Sequence, residues 1–306
     1  MKVFIYAPDY DCNSGGSVVL HRLCHLINQV EGHDAYLVPR KAERIKFNSK
    51  KEFVSSVKKA LSVTIKRFRK IKVHPAWHTP VCMASQVKES NAVVLYPEFT
   101  FGNPLNAKNV VRWFLHQPGH FHREFQFGAG ELYFKFNSGI KDFEYCYSTT
   151  SSHELKVIYY PLDIYNTKGV EERTIESHIV RKGSKKNKVH KANSVPIDGM
   201  SHHEVAEILK KSKRFVSYDD YTAYSLFAVL CGCESVVVPN NNMTKEQWYP
   251  NETDRYGLAY GFDDSELEWA SKTMHKVLEH IEQEHRKSFD SVRSFLCETK
   301  KHFNLI

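Results

Sequence analysis

The segment that most constrains the fold is Arg214–Pro239, which reads RFVSYDDYTAYSLFAVLCGCESVVVP. Two short apolar runs, Arg214–Tyr218 and Ser235–Pro239, flank a segment with helical spacing, and this pattern is typical of a βαβ unit with parallel strands. Asp219 follows the first predicted strand, and Gly232 lies where the helix should end. Ligands of parallel sheets bind at the carboxyl ends of strands, beside helix N-termini that favour anions. The junction is therefore expected to bind a phosphate-bearing ligand.

The first 40 residues repeat this pattern. Val3–Ala7 and Ala35–Pro39 are predicted strands, and Ser17–Val30 is a predicted helix with an apolar stripe. The turn Gly15-Gly16-Ser17 precedes the helix, so backbone amides at Gly16 and Ser17 could approach a phosphate. A glycine needed only for a tight turn explains the same residues, and the sequence leaves both interpretations open.

Two further predicted strands end in polar side chains. Ala92–Tyr96 is followed by Glu98, and Val110–Leu115 is followed by His116. The carboxyl ends of parallel strands share one edge of a sheet, so Glu98 and His116 are expected to line one side of a cleft. Phe143–Ser148 is predicted as a further short strand.

Composition and charge narrow the class of protein. Of the 306 residues, 42% are hydrophobic and 25% charged, which is typical of a globular chain. The N-terminus predicts a strand rather than a signal peptide, and no run is long enough for a transmembrane helix. The seven cysteines include no CxxC pair, so we expect buried thiols in a reducing cytoplasm and no metal site.

Lys51–Lys72 is predicted to be a basic amphipathic helix. Such a helix could lie on an anionic membrane surface, which would make the protein peripheral on the inner face of a membrane. An ordinary solvated surface helix explains the same pattern. No recognisable nucleic-acid module accompanies it, so nucleic acid is not an expected partner.

The polar stretch Ser148–His153 predicts a crossing between two domains, 1–152 and 153–306. In the second domain, Val157–Tyr160 and His178–Val180 are predicted strands, and the latter runs directly into the basic loop Arg181–Lys186. Cations and a glycine at a strand end suit a diphosphate, although an exposed basic loop explains them equally. Ser201 is expected to cap a helix over His202–Lys211.

The order of these features resembles that of GT-B glycosyltransferases. Two βα-rich halves, a Gly-Gly turn after the first strand and a basic strand end before a capped helix are shared, and Tyr218–Pro239 resembles the donor-binding motif. The similarity is greatest to the large retaining family typified by bacterial polysaccharide and lipopolysaccharide transferases. The segment Asn109–Gly119 also resembles bacterial sugar transferases. The resemblance implies an α/β fold in which two Rossmann-like parallel-sheet domains face a cleft. The N-terminal domain would serve the acceptor and the C-terminal domain the donor.

The resemblance also implies roles for individual residues. Asp219 corresponds to the acidic residue that contacts the donor sugar, and His116 to a group facing that sugar. The residues implied or expected to bind the donor are Gly16, Ser17, Arg181, Lys182, Lys186, Tyr221 and Thr222. Positioned cations lower the barrier by stabilising the departing diphosphate, so neither a metal nor another cofactor is expected.

This sequence departs from the family pattern at one position. Phe227 stands where a second acidic residue normally binds the ribose hydroxyls, so recognition of the nucleotide is expected to differ. Asp9-Tyr10-Asp11 has the form of a DxD metal motif, but it lies in the first loop of a different fold plan and is interpreted as loop. Asp9, Asp11, Glu98, His116 and His120 are candidate bases if the reaction inverts, whereas a retaining transfer needs none.

The leading hypothesis is a metal-independent glycosyltransferase that moves a sugar from a nucleotide donor to a glycan or lipid-linked acceptor, as in polysaccharide biosynthesis. One alternative is a nucleotide-sugar epimerase or hydrolase of the same fold. The other is a non-catalytic basic module that docks on a membrane through Lys51–Lys72. The sequence leaves open the sugar, the base, the acceptor, the anomeric outcome and the oligomeric state.

Overall fold

The computed structural model describes residues 1–40, 71–87, 91–119, 125–137, 139–240 and 243–305. The chain forms two compact units. Unit 1 comprises Met1–Tyr159 and His285–Ile306, and unit 2 comprises Tyr160–Glu284. These limits differ from the predicted 1–152 and 153–306, chiefly because the end of the last helix packs in unit 1. The predicted basic helix Lys51–Lys72 lies outside the described residues except for Ile71 and Lys72.

The elements follow one another as an alternation of strands and helices. The strands are β1 (Lys2–Ala7), β2 (Asp34–Pro39), β3 (Ala92–Pro97), β4 (Asn109–Phe114), β5 (Leu132–Lys135), β6 (Thr149–Thr150), β7 (Ile175–Ile179), β8 (Val195–Pro196), β9 (Ser212–Ser217), β10 (Glu234–Val237) and β11 (Leu258–Tyr260). The α-helices are α1 (Gly15–Ile27), α2 (His202–Lys211), α3 (Tyr224–Leu230), α4 (Lys245–Trp248), α5 (Asp264–Thr273) and α6 (Val277–His302). Short 3-10 turns lie at Ala84–Gln86, Arg181–Gly183, Glu252–Arg255 and Met274–Lys276.

Unit 1 is built on a parallel sheet with the order β2-β1-β3-β4-β5-β6. β3 and β4 are buried along their whole length, as expected for strands covered on both faces. One face packs against α1 and against the C-terminal half of α6, which contributes Val292, Phe295 and Leu296 to the core. This burial explains why the end of the chain belongs to unit 1.

A buried ion pair ties two loops to this sheet. Arg112 of β4 is fully buried and donates from Nε and Nη2 to both carboxylate oxygens of Glu131. It also donates to the backbone carbonyls of Thr100 and Gly102, so the connections after β3 and before β5 converge on one guanidinium. Because its donors are shared among several acceptors, the charge is compensated despite complete burial.

Two predicted strands of this region are wrong. Phe143–Ser148 is a turn, because Cys146 and Tyr147 adopt left-handed backbone conformations with φ of 49° and 58°. Val157–Tyr160 belongs to none of the strands found in the described residues, because the amide of Ile158 donates to Ser288 Oγ of α6 instead of to a strand. The strands β5 and β6 were not predicted.

Unit 2 has a second parallel sheet with the order β11-β10-β9-β7-β8. The predicted βαβ unit is present as β9, α3 and β10, and the predicted capping box of α2 is confirmed. Ser201 accepts from the amide of Glu204, whose side chain accepts from the amide of Ser201. The first part of α6 packs in this core through Val277 and Ile281.

The predicted α/β class with two Rossmann-like parallel sheets, as in the GT-B plan, is confirmed by these two sheets. That the domains face a cleft stays a prediction. Across the described residues, no helix is long and apolar enough to cross a membrane.

Candidate functional site

The sheet of unit 2 has a topological switch point between β7 and β9. β7 pairs with both β8 and β9, so the chain leaving β7 turns to one side and the chain leaving β9 turns to the other. Ligands of open parallel sheets bind at such a switch point, beyond the carboxyl ends of the strands. Here the two loops that flank the switch point are the predicted basic loop and the Asp219 junction.

The loop after β7 is held in an unusual conformation. Arg181 has a φ of 38°, which is a left-handed conformation for a non-glycine residue. The carboxylate of Asp198 accepts from the amides of Val180 and Arg181 at 3.0 and 2.8 Å and so stabilises this turn. At Gly183 a Cβ would lie 2.0 Å from the carbonyl oxygen of Tyr218, so only glycine fits. Strained backbone held by specific contacts is typical of functional sites.

The loop after β9 supplies carboxylates to the cations of this loop. Asp219 is buried, and its Oδ2 lies 3.8 Å from Arg181 Nε. Lys186 donates to Asp220 Oδ1 and, at 2.6 Å, to the carbonyl of Val238 after β10. The side chains of both cations are therefore positioned at the carboxyl edge of the sheet by the acids beside them. The structure therefore places Arg181 beside Asp219 and Lys186 beside Asp220.

The remaining predicted donor residues of unit 2 lie close by in the chain but differ in setting. Lys182 is exposed, and within the described ranges no ion pair is found for it. Thr222 is buried and its Oγ1 accepts from the amide of Tyr224 at 3.4 Å. The seven-residue helix α3 begins only at Tyr224, with Ala223 as a cap that makes no side-chain hydrogen bond. Any phosphate affinity here is thus expected from the loop cations rather than from α3.

Tyr221 is the most exposed aromatic residue of the junction, at 58% of its full accessibility. Its ring meets Tyr249 edge-on at 5.7 Å, and its hydroxyl lies 3.5 Å from the sulfur of Met243. Trp248 packs behind, stacked on Tyr260, and donates from its indole to the carbonyl of Asp220. The aromatic group gives Tyr221 a fixed backing beside the charged residues, so it can offer a ring face to a planar or sugar ligand.

Phe227 is a core residue. Its ring stacks on Tyr165 at 3.9 Å with an interplanar angle of 9°, and it meets Tyr160, His202 and Tyr224 edge-on. Only 4% of its surface is exposed. The position expected to carry a ribose-binding acid is therefore built into an aromatic cluster, and an acid there would have to be buried among rings.

Unit 1 has its own switch point, between β1 and β3. The loop Pro8–Ser14 follows β1, Glu98 follows β3, and His116 follows the neighbouring β4. Glu98 Oε2 accepts from the amide of Leu115 at 3.0 Å, and a Cβ at Gly16 would lie 3.6 Å from Leu115 Cδ1. Glu98, Gly16 and Leu115 therefore form one contiguous group at the carboxyl edge of the sheet.

Glu98 is the most perturbed carboxyl group of this edge. It is 5% exposed, and burial raises its pKa from 4.5 to about 7 although backbone amides that donate to it pull the pKa down. Its Oε1 is buried, and among the described groups it has no hydrogen-bond partner. A carboxyl with a pKa near neutrality can both accept and release a proton at physiological pH.

The glycine turn differs from the prediction in one respect. The helix α1 begins at Gly15, and Ser14 is its cap. Ser17 is 2% exposed, and its hydroxyl donates to the carbonyl of Asp9 while accepting from the amide of Asp11. Its side chain therefore shapes the preceding loop and is committed to it. Gly15 has open space where a side chain would lie.

The acidic pair of this loop also serves local structure. Asp9 Oδ1 accepts from the amide of Lys72, and Asp11 Oδ1 accepts from the amide of Asn13. No group of three or more side chains that could hold a metal is found within the described part of the chain. His116 is exposed at the end of β4, and His120 lies outside the described residues.

Two positions of the unit 2 site were missed by sequence reasoning. Asp198 holds the strained turn at Arg181, and the Tyr218 hydroxyl accepts from the amide of Val189, three residues after the basic loop. Neither role could be predicted from the neighbouring sequence. Asp198 looks like an ordinary turn residue before Gly199, and Tyr218 is one of many aromatic residues.

No protein-family model matches the chain. No curated protein matches it either. Among solved structures, sucrose-phosphate synthase from Thermosynechococcus elongatus is 9% identical with a TM-score of 0.36, covering 96% of this chain and 94% of its own. MurG of Acinetobacter baumannii is 10% identical with a TM-score of 0.34 and the same coverage. A protein assigned as a UDP-N-acetylglucosamine 2-epimerase from Listeria monocytogenes is 11% identical with a TM-score of 0.36, covering 99% and 96%. At this level of similarity, function has to be argued from the site itself.

Proposed function

We propose that the chain is a glycosyltransferase in which unit 2 binds the diphosphate of a nucleotide-activated sugar. The observation that carries this proposal is the meeting of Arg181, Lys186, Asp219 and Asp220 at the switch point of the unit 2 sheet. Two loops that are separate in the chain place opposite charges there. The backbone of one of them, the loop after β7, is strained at Arg181. A purely structural ion pair would need neither the strained turn nor this position.

The arrangement suits a leaving group that gains negative charge. Arg181 can offer two parallel N–H donors to a phosphate, and Lys186 adds a point charge that Val238 helps to orient. Without ligand, the two aspartates compensate these cations. With a diphosphate in place, Asp219 would be released to accept hydrogen bonds from sugar hydroxyls. Preorganised cations of this kind lower the barrier because they bind the departing diphosphate more tightly than the intact donor.

Glu98 of unit 1 supplies the proton chemistry in the proposal. Since its pKa is about 7, a sizeable fraction is ionised at neutral pH and can remove the proton of an acceptor hydroxyl. The acceptor is proposed to be a glycan or a lipid-linked saccharide. A retaining transfer needs no such base, so the dependence of activity on Glu98 would also report on the stereochemical outcome. Metal independence, a cytoplasmic location and membrane association through Lys51–Lys72 stay predictions.

The first experiment is a thermal-shift screen of nucleoside diphosphates and nucleotide sugars at millimolar concentration. A ligand at 100 times its Kd stabilises the folded state by about 2.7 kcal/mol, which appears as a rise in Tm of several degrees. Arg181→Ala is expected to abolish the rise. Arg214→Ala is the matched control. Arg214 lies in the first half of β9, forms an ion pair with Glu234 and is similarly exposed, so its replacement should leave the rise in Tm intact.

If no member of the screen raises the Tm, the proposal fails. A ligand that is found is then incubated as its sugar conjugate with and without glycan acceptors. Transfer to an acceptor supports a glycosyltransferase. Turnover of the sugar nucleotide at a rate that no acceptor changes would favour the epimerase or hydrolase alternative instead.

A further inference from the structure

The side chain of Tyr218 contacts residues 181–190, a segment made of Arg181–Lys186 and the four residues that follow; in this subsection the basic loop means this longer segment. Tyr218 is 2% exposed, and its hydroxyl oxygen lies 2.7 Å from the amide nitrogen of Val189 and 3.1 Å from that of His190. It also lies 2.7 Å from His190 Nδ1. At the other end of the loop, Gly183 packs directly on the backbone of Tyr218. One residue thus touches both ends of the loop.

The protons in this group can be assigned by counting donors and acceptors. A phenol oxygen has two lone pairs and one proton. The amides of Val189 and His190 can only donate, so together they use both lone pairs of Tyr218. The phenol proton must then go to His190 Nδ1, which has to be an unprotonated acceptor. The contact is therefore complete only when the imidazole of His190 is neutral.

His190 packs against a second histidine, His178. Its ring is stacked on that of His178 at 3.7 Å with an interplanar angle of 8°. Burial lowers the pKa of His178 below 6.5, and the neighbouring His190 and Lys188 lower it further, while Asp198 opposes them. His178 Nδ1 is in addition hydrogen-bonded to Ser194 Oγ. Two protonated rings stacked face to face would repel each other.

We propose that the Tyr218 hydroxyl positions the basic loop for the diphosphate, and that this positioning is released when His190 is protonated. Arg181 and Lys186 lie on the loop whose far end Tyr218 fastens, and a loop fixed before binding loses less conformational entropy when the ligand arrives. The inference rests on the proposed function for its ligand. The fastening itself can be tested without any ligand.

The first test compares Tyr218→Phe with Tyr165→Phe. Tyr165 is an equally suitable reference because it is a buried tyrosine of unit 2 whose hydroxyl is also bonded to a histidine Nδ1, that of His202. Hydrogen exchange of the ligand-free proteins is followed by mass spectrometry. Tyr218→Phe is expected to lose protection in the basic loop, and Tyr165→Phe is expected to retain it.

The second measurement is the Kd for the nucleoside diphosphate that the screen identifies. Loss of one or two backbone hydrogen bonds that hold the loop should raise the Kd of Tyr218→Phe about tenfold. Tyr165→Phe should stay within about twofold of the unsubstituted protein, because its effect is confined to stability. A lower Tm alone, with unchanged Kd, would show that Tyr218 is structural and would overturn the positioning role.

The third measurement separates the protein's response to pH from that of the ligand. His190→Gln keeps an acceptor for the Tyr218 hydroxyl but cannot be protonated. Phosphate titration affects both proteins equally. The unsubstituted protein is therefore expected to lose about fivefold more affinity than His190→Gln between pH 8 and pH 5.5. Equal losses would refute the release on protonation.

Failure of the proposed function would look different. If no diphosphate binds the unsubstituted protein, the proposed function is wrong, and the exchange measurement still decides whether Tyr218 fastens the loop. If Tyr218→Phe retains full protection of the basic loop, the inference is wrong whatever ligand binds.

Discussion

Glu98→Gln is expected to stabilise unit 1 at alkaline pH while removing the proposed proton acceptor. Glutamine has nearly the same volume, and its carbonyl oxygen can still accept from the amide of Leu115. What the substitution removes is a buried negative charge. Because burial raises the pKa of Glu98 to about 7, ionising it in the folded protein costs free energy that the unfolded chain does not spend.

The magnitude follows from the two pKa values of Glu98. Its pKa is 4.5 in an exposed setting and about 7 in the fold, so the folded state holds more protons in this range. The free energy of unfolding must then fall as the pH rises through this window, whereas a carboxyl with a lowered pKa would have the opposite effect. The difference between the pKa values corresponds to a loss of about 2.5 kcal/mol between pH 5 and pH 8.

The assay is urea unfolding of both proteins at pH 5 and pH 8. Relative to the unsubstituted protein, Glu98→Gln should gain about 2.5 kcal/mol of stability on going from pH 5 to pH 8. The control Glu31→Gln replaces an exposed carboxyl of the same unit and should change the free energy of unfolding equally at pH 5 and pH 8. If Glu98→Gln shows no such gain, the reasoning about its ionisation is refuted. Loss of sugar transfer together with the gain would support catalysis by Glu98.

Three further perturbations test other parts of the structure. Arg112→Ala should lower the free energy of unfolding by about 3–5 kcal/mol, because it leaves Glu131 buried without its partner; urea unfolding measures this, and a loss below about 1 kcal/mol would contradict it. Gly183→Ala should weaken nucleoside diphosphate binding by about tenfold or more, because its Cβ would overlap the Tyr218 carbonyl and displace the loop; calorimetry with unchanged affinity would contradict it. Phe227→Glu should unfold unit 2 rather than create a ribose site, since a carboxylate would be buried among rings; a folded variant with tighter nucleotide binding would oppose this.

Much of the fold could be predicted from the spacing of apolar residues and from the capping and turn residues between them. The βαβ unit around Asp219 and the helix capped by Ser201 depend on residues that are neighbours in the chain. The wrong predictions concern segments whose structure depends on residues far away in the chain. Val157–Tyr160 has a strand-like composition, but the amide of Ile158 donates to Ser288 Oγ, in a helix more than a hundred residues away. Local composition cannot indicate such a partner.

The candidate site divides in the same way. The sequence by itself determined that Arg181, Lys186 and Asp219 follow strand ends, and this restricts them to one edge of a parallel sheet. Only the tertiary structure decided which cation meets which carboxylate, because that depends on the strand order that makes β7 and β9 neighbours. It also decided the ionisation of Glu98, since burial shifts a pKa and burial is a property of packing.

The βαβ unit Arg214–Pro239 contains both kinds of information. Its strand, helix and strand are set by the spacing of apolar residues along Arg214–Pro239. The role of Tyr218 within it is set by residues 181–190, which fold over its side chain from a different part of the chain. A hydroxyl that fastens a distant loop leaves no periodic signal, because hydrogen bonding depends on positions in space and the sequence specifies only order along the chain.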